Sequence, residues 1–297
     1  MIVIGQQNDR GWDVKTMPNL DPINRWYSQL AKTYTSEERK NWYSATADAY
    51  NRFRPRYPQA IIEQVLQLTN LSQNSQILEL GSGPATATTA FAERGFSMVC
   101  LEPSLAACQL AQQNCIDYPQ VKIINTTFEA WQLPCQPFDA VLAATSFHWI
   151  SREISYQKAA DALTDTGYLI LLWNTPPQPS AEIHRQLQSI YQHYAPSLAA
   201  YESKAHHEQN LATFGIKVID SGLFQGLIYN KMISEVVYSI EDYIALLTTL
   251  SSYIKLEDKQ RKQLLQSLSL ELKKICPATL NLSYLSAFQI VQKRLHF

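Results

Sequence analysis

Charge is scarce in this chain. Asp, Glu, Lys and Arg make up 17% of its 297 residues, and the net charge is −1. Soluble domains average about 25% charged residues. No global field therefore draws the chain to nucleic acid or to an anionic membrane, and neither is expected as a partner. The basic residues near the C-terminus (Lys255, Lys259, Arg261, Lys262, Lys273, Lys274) fit the solvated face of a helix. Long apolar runs are missing: none approaches the ~18 residues of a membrane span. The apolar part of residues 1–6 is too short for a secretory signal. The five cysteines (Cys100, Cys108, Cys115, Cys135, Cys276) form no C-x-x-C pair. They suit free thiols of a reducing cytosol, so a cytoplasmic protein is expected. His184, His193, His206 and His207 lack H-E-x-x-H or Cys/His ligand spacing, so no metal site is expected. The absence of G-x-S-x-G argues against a serine hydrolase.

What is present centres on residues 76–104. Ile77, Leu78 and Leu80 make the short apolar run of a buried parallel strand. Gly81 and Gly83 bend the chain and keep side chains away from a docked ligand. An Ala-rich helix is predicted over 85–94, closed by Gly95. A second apolar run, 97–101, ends on Glu102 and Pro103. A glycine loop feeding a helix N-terminus offers free N–H groups and partial positive charge. An acid at the tip of the next strand accepts two bonds from a ribose diol. The unit therefore suits NAD, FAD or S-adenosylmethionine.

Two details discriminate. The glycine pattern is G-x-G-x-A-T, so the position that packs a pyrophosphate-binding helix holds Thr86. Glu79, two residues before Gly81, would repel a pyrophosphate and attract a cationic amino group or sulfonium. Glu79, Gly81, Gly83, Ala85 and Glu102 together resemble motif I and its follower in class I S-adenosylmethionine-dependent methyltransferases. Ala85 stands where relatives commonly have a third glycine. The resemblance implies an α/β, Rossmann-like seven-stranded sheet, parallel with an antiparallel final hairpin, with helices on both faces and a helical cap. It implies S-adenosylmethionine as cofactor, on Glu79, Gly81, Gly83, Ala85, Glu102, Pro103 and Thr145.

Residues 1–40 read as an N-terminal extension and 41–297 as the methyltransferase-like domain. Within them, Trp26, Tyr27, Ser28, Ala31 and Tyr34 are echoed by Trp42, Tyr43, Ser44, Ala47 and Tyr50. The second copy runs into Arg54, Pro55, Tyr57 and Pro58. It resembles the entry segment F-x-x-x-A-x-x-Y-x-x-x-R-P-x-Y-P of trans-aconitate methyltransferase-like enzymes, with Tyr43 in the Phe position. That resemblance implies a segment folded over the cofactor. After a third strand at 121–125, Phe128 and Glu129 match the residues that flank and bond the adenine in class I enzymes. A fourth strand, 138–144, leads to Thr145-Ser146-Phe147-His148-Trp149, near the cofactor by the carboxyl-end rule. Ser151 is expected to cap the helix that follows. Beyond a fifth strand at 167–174, helices are expected at 181–214, strands at 216–220 and 224–233, helices at 240–276 and a last strand at 280–292. The cap insertions are placed at about 180–214 and 240–276.

The reaction expected is methyl transfer to a small-molecule acceptor, at a carboxylate or hydroxyl oxygen. His148 is either a general base or a structural histidine. Arg54 is expected to clamp a small acid bidentately, with Tyr50 and Trp149 lining the apolar side. A nicotinamide-dependent oxidoreductase and a non-catalytic S-adenosyl-nucleoside-binding protein are the alternatives.

Overall fold

The computed structural model describes residues 36–276 and 278–295. The first aromatic segment, 26–34, and most of the N-terminal extension lie outside the described residues.

Seven strands form one sheet: β1 (Gln76–Leu80), β2 (Ser97–Glu102), β3 (Val121–Asn125), β4 (Phe138–Ala144), β5 (Leu163–Asn174), β6 (Phe224–Ser239) and β7 (Thr279–Lys293). Their order is β3-β2-β1-β4-β5-β7-β6. The first five are parallel, and β7 runs antiparallel to both β5 and β6. This is the sheet expected. The strand order reverses between β1 and β4, and ligands of open α/β sheets bind beyond the carboxyl ends at such a point.

Alternate residues of the central strands feed two cores, as a two-residue period requires. Leu78 and Leu80 join Val141, Leu169 and Leu171 on one face, while Ile77 joins Met98, Leu142 and Ile170 on the other. On the second face α2 (Gln59–Thr69) buries Ile61, Ile62 and Val65. The first face takes α5 (Arg152–Ala162) through its alanines and α7 (Lys204–Asp220) through Leu211, Phe214 and Val218. A long helix, α1 (Ser36–Phe53), packs on α4 (Leu105–Asn114).

A third core lies against one end of β6 and β7, through Val236, Tyr238, Leu280 and Leu282. It combines α6 (Ala181–Tyr194) with α8 (Ile240–Leu247), α9 (Ser251–Ile254) and α10 (Asp258–Ile275), the last three inserted between β6 and β7. Leu187, Leu246, Leu264, Leu268 and Leu272 are fully buried in it.

Three local expectations need correction. Residues 216–220 are the last turns of α7, not a strand: Leu211, Phe214 and Val218 recur at helical spacing and dock on the sheet. The helix expected over 85–94 is confined to α3 (Thr88–Ala92), because Ala85 is left-handed with φ of 66°. Ser151 holds the N-cap position of α5 without a capping bond; its hydroxyl donates instead to Glu153 Oε2 at 3.2 Å.

Candidate active site

A cavity of about 1000 Å³, mouth included, opens at the carboxyl ends of β1, β2 and β4. Gly81 and Gly83 from the β1 loop line it, with Glu102 and Pro103 from the tip of β2, Thr126 to Glu129 after β3, and Ala144 to Ser146 after β4. Trp149, Ile150 and three residues of α1, Tyr43, Ala47 and Tyr50, complete its wall.

The glycines have distinct reasons. Gly81 has φ of 64°, and a Cβ there would sit 2.8 Å from Ser146 Cβ. Gly83 has φ of 57°, and a Cβ there would meet nothing within 4 Å. A side chain at Gly83 would project into open space, and Gly83 itself lines the cavity. Thr145, also left-handed at φ of 54°, is held by three partners. Its N–H donates to the Leu172 carbonyl (2.7 Å), its Oγ1 accepts the Asn174 N–H (3.2 Å), and its hydroxyl shares a proton with Tyr57 (2.7 Å). Such outliers persist where the surroundings over-determine them, typically at ligand sites. Burial pushes the Tyr57 phenol well up, so it stays protonated in that bond.

Glu102 is fixed by its own loop. Oε2 accepts the Gly83 N–H at 2.9 Å and Oε1 accepts the Ser104 N–H at 2.7 Å. A carboxylate accepts about four bonds, so each oxygen retains a lone pair for the cavity. Burial raises its pKa, with those two backbone bonds opposing the rise. Phe128 lines the cavity, and Lys158 Nζ stands 5.2 Å from its ring centroid. Lys158 donates to the carbonyls of Glu129 and Trp131. Glu129 Oε1 accepts the Ser151 N–H at 3.4 Å, which steers the carboxylate toward the start of α5.

Four residues singled out from the sequence do not line the cavity. Glu79 is fully buried behind the loop. Its Oε2 accepts the Thr88 hydroxyl at 2.6 Å and lies 3.7 Å from the Cys100 thiol, while Oε1 has no hydrogen-bond partner. Burial lifts its carboxyl to about 7. Its role is therefore beneath the loop rather than against a ligand. Ala85 packs with Ala111 and Cys115. His148 sits in an aromatic group with Trp149, Trp173 and Phe214, at centroid distances of 4.7, 5.7 and 6.2 Å. That placement favours packing over proton transfer. Arg54 is engaged elsewhere: Nε donates to Thr249 Oγ1 (2.8 Å) and Nη2 to the Thr249 carbonyl (2.9 Å). Its planar fork serves the loop after α8, not an acid in the cavity.

Tyr43, Ala47, Ser146 and Thr127, which no sequence motif marked as site residues, also line the cavity. Tyr43, Ala47 and Tyr50 were legible, since positions i, i+4 and i+7 of a helix share a face. Ser146 carried no signal; its hydroxyl donates to the Leu80 carbonyl at 2.5 Å and joins the ends of β4 and β1. Among the described residues, no three His, Cys, Asp or Glu side chains cluster to hold a metal ion, and no helix is long and apolar enough to cross a membrane.

A mainly parallel sheet with a reversed seventh strand, a glycine loop after β1 and an acid closing β2 defines a Rossmann-like α/β class. Within it, residues 77–167, from β1 into β5, match the family model of a methyltransferase domain. An uncharacterised methyltransferase of Mycobacterium tuberculosis is 30% identical over 133 residues, which span 45% of this chain and 52% of the relative. The chain thus matches about half the length of that curated relative. An uncharacterised methyltransferase of Schizosaccharomyces pombe is 23% identical over 216 residues, 72% of this chain and 80% of the relative. Among solved structures, a protein described as a type II methyltransferase from Anaeromyxobacter dehalogenans superimposes with a TM-score of 0.58 at 16% identity, covering 80% of this chain and 97% of that one. The last likeness bears on the fold.

Proposed function

We propose that this chain transfers a methyl group from S-adenosylmethionine to a small-molecule acceptor within the cavity. The observation that carries the proposal is the pairing of Gly83 and Glu102: an open cradle beside a carboxylate fixed at the strand tip with lone pairs to spare. When bound, the cofactor supplies an activated methyl group on sulfonium. Glu102 is suited to accept the ribose hydroxyls, and Phe128 and Glu129 flank the adenine. Gly81 and Gly83 let the backbone approach the amino-acid end. Tyr43, Tyr50 and Trp149 close the wall, exclude water and align the acceptor; alignment alone supplies up to ~7–11 kcal/mol. A good leaving group makes a dedicated base unnecessary unless the acceptor must lose a proton.

The acceptor is a small molecule that need not be anionic. No Lys, Arg or His side chain appears among the described lining residues, so a bidentate acid clamp has no support there. The entry segment's resemblance to trans-aconitate methyltransferase-like enzymes supports the position of α1 over the cofactor.

Calorimetry tests the cofactor assignment. S-adenosylhomocysteine is expected to bind and NADH is not. Glu102→Ala should weaken S-adenosylhomocysteine at least tenfold, because a bond to a charged group is worth ~1.5–3 kcal/mol. Unchanged affinity in that variant would remove the ribose assignment.

A further inference from the structure

β6 forms one edge of the sheet, and among the described residues it pairs with β7 alone. An open edge offers a row of backbone N–H and C=O groups, which folded chains blunt with prolines, lysines or bulges. β6 has little of this. Its register slips only between Gln225 and Ile228, and from Ile228 to Ser239 it pairs with β7 without a break. It has no proline, and Lys231 and Glu235 are its only charged residues. One face of the strand is also bare. Tyr229 joins the core with Leu211 and Phe214 of α7, and Lys231 pairs with Glu208 of that helix. The next residues of the same face, Ile233, Glu235 and Val237, are exposed, Ile233 by 57% and Val237 by 60%. A groove beside them is lined by Tyr201, Lys204, Val237 and Asn281.

The two charges identify what covers this edge, because they flank Ile233 symmetrically, two residues to either side. When a strand pairs antiparallel with a copy of itself, residues at equal distances from the two-fold axis face each other. With the axis at Ile233, Lys231 of each copy faces Glu235 of the other. Any other centre sets these charges against neutral residues or against their own kind. Opposite charges directly across a pair of strands stabilise it, and like charges there oppose it. We propose that two copies of this chain join through β6, edge to edge and antiparallel about Ile233, into one continuous sheet. Main-chain bonds supply the affinity, and the paired charges fix the register. Lys231 keeps Glu208 on one side and gains Glu235 of the second copy on the other. The described lining of the cavity includes no β6 residue, so assembly through this edge is separable from cofactor binding.

Sedimentation velocity on the full chain, across a dilution series, tests this. The wild type should sediment as a dimer that dissociates on dilution. Ile233→Asp sets two carboxylates together at the axis, and Glu235→Lys sets a lysine against Lys231. Each should raise the dimer dissociation constant roughly tenfold or more, with the circular dichroism of the wild type retained. Lys231→Glu should weaken the dimer likewise. Mixing it with Glu235→Lys should restore dimers, since each copy then presents the charges that the other lacks. Backbone amides of β6 should exchange faster in Ile233→Asp than in the wild-type dimer. A wild type that is monomeric at every concentration overturns the proposal, as does a dimer that Ile233→Asp and Glu235→Lys leave intact. Equal protection of β6 in the wild type and in Ile233→Asp also overturns it, and assigns the edge to another segment of the same chain.

Discussion

Gly81 and Gly83 share a left-handed backbone but not a neighbourhood, and that contrast separates folding from binding at single residues. Alanine at either position costs ~1–2 kcal/mol for its backbone conformation. At Gly81 the added methyl also collides with Ser146 Cβ at 2.8 Å, overpacking worth a further ~1–3 kcal/mol. At Gly83 it projects into open space. Gly81→Ala should therefore lower the melting temperature clearly more than Gly83→Ala. Gly83→Ala should lose S-adenosylhomocysteine affinity, with a fall in melting temperature limited to its backbone cost. Thermal scans and calorimetry on the pair check this. Ala85 shows that the chain tolerates such strain, since it holds φ of 66° while fully buried.

At the scale of elements, Arg54 joins two pieces that are distant in sequence. It directly follows the last residue of α1, and its guanidinium holds Thr249 in the loop after α8. Thr249 is completely buried, and its hydroxyl donates a hydrogen bond to the Leu246 carbonyl at 2.6 Å. The Tyr238 hydroxyl and Asn174 Nδ2 tie the same segment through the carbonyls of Phe53 and Pro55. Arg54→Lys keeps the charge and loses the fork. It should cost about 1.5–3 kcal/mol in unfolding free energy and speed hydrogen exchange in α1 and α8. An acceptor Michaelis constant that rose with stability unchanged would restore the acid clamp.

For the molecule as a whole, Glu79 links stability to pH. Burial raises its carboxyl from the ordinary 4.5 to about 7, opposed by the Thr88 bond. The folded chain keeps a proton that the unfolded chain releases above about 4.5. The contribution of Glu79 to stability is therefore largest below that value, falls as pH rises to about 7, and levels off above. The interval corresponds to about 3 kcal/mol. Urea unfolding at pH 5 and pH 8 should show Glu79→Gln gaining on the wild type by up to that amount at the higher pH. Part of the slope should survive in the variant, because burial raises Glu102 in the same direction. A gap between variant and wild type that is the same at both pH values would show that Glu79 does not titrate with folding.

The sheet and its ligand edge were determined by local sequence. Apolar runs at 77–80 and 97–101, glycines directly after the first and an acid closing the second suffice to specify strand, turn and strand, because each depends on near neighbours. The helical face carrying Tyr43, Ala47 and Tyr50 is likewise written in its spacing. Tertiary structure decided which polar side chains reach the cavity. Glu79 and Glu102 look alike in the sequence, each an acid near the end of an apolar strand. Glu79 points between the sheet and Thr88, whereas Glu102 meets the N–H groups of Gly83 and Ser104 at the open edge. Arg54 resembled an acid clamp until Thr249, 195 residues away, was brought against its guanidinium. His148 read from the sequence as either a base or a structural histidine, and only the fold places Trp173 and Phe214 beside its ring. A side chain's chemistry depends on the partners that burial leaves it, and those partners come from elements that only the folded chain brings together.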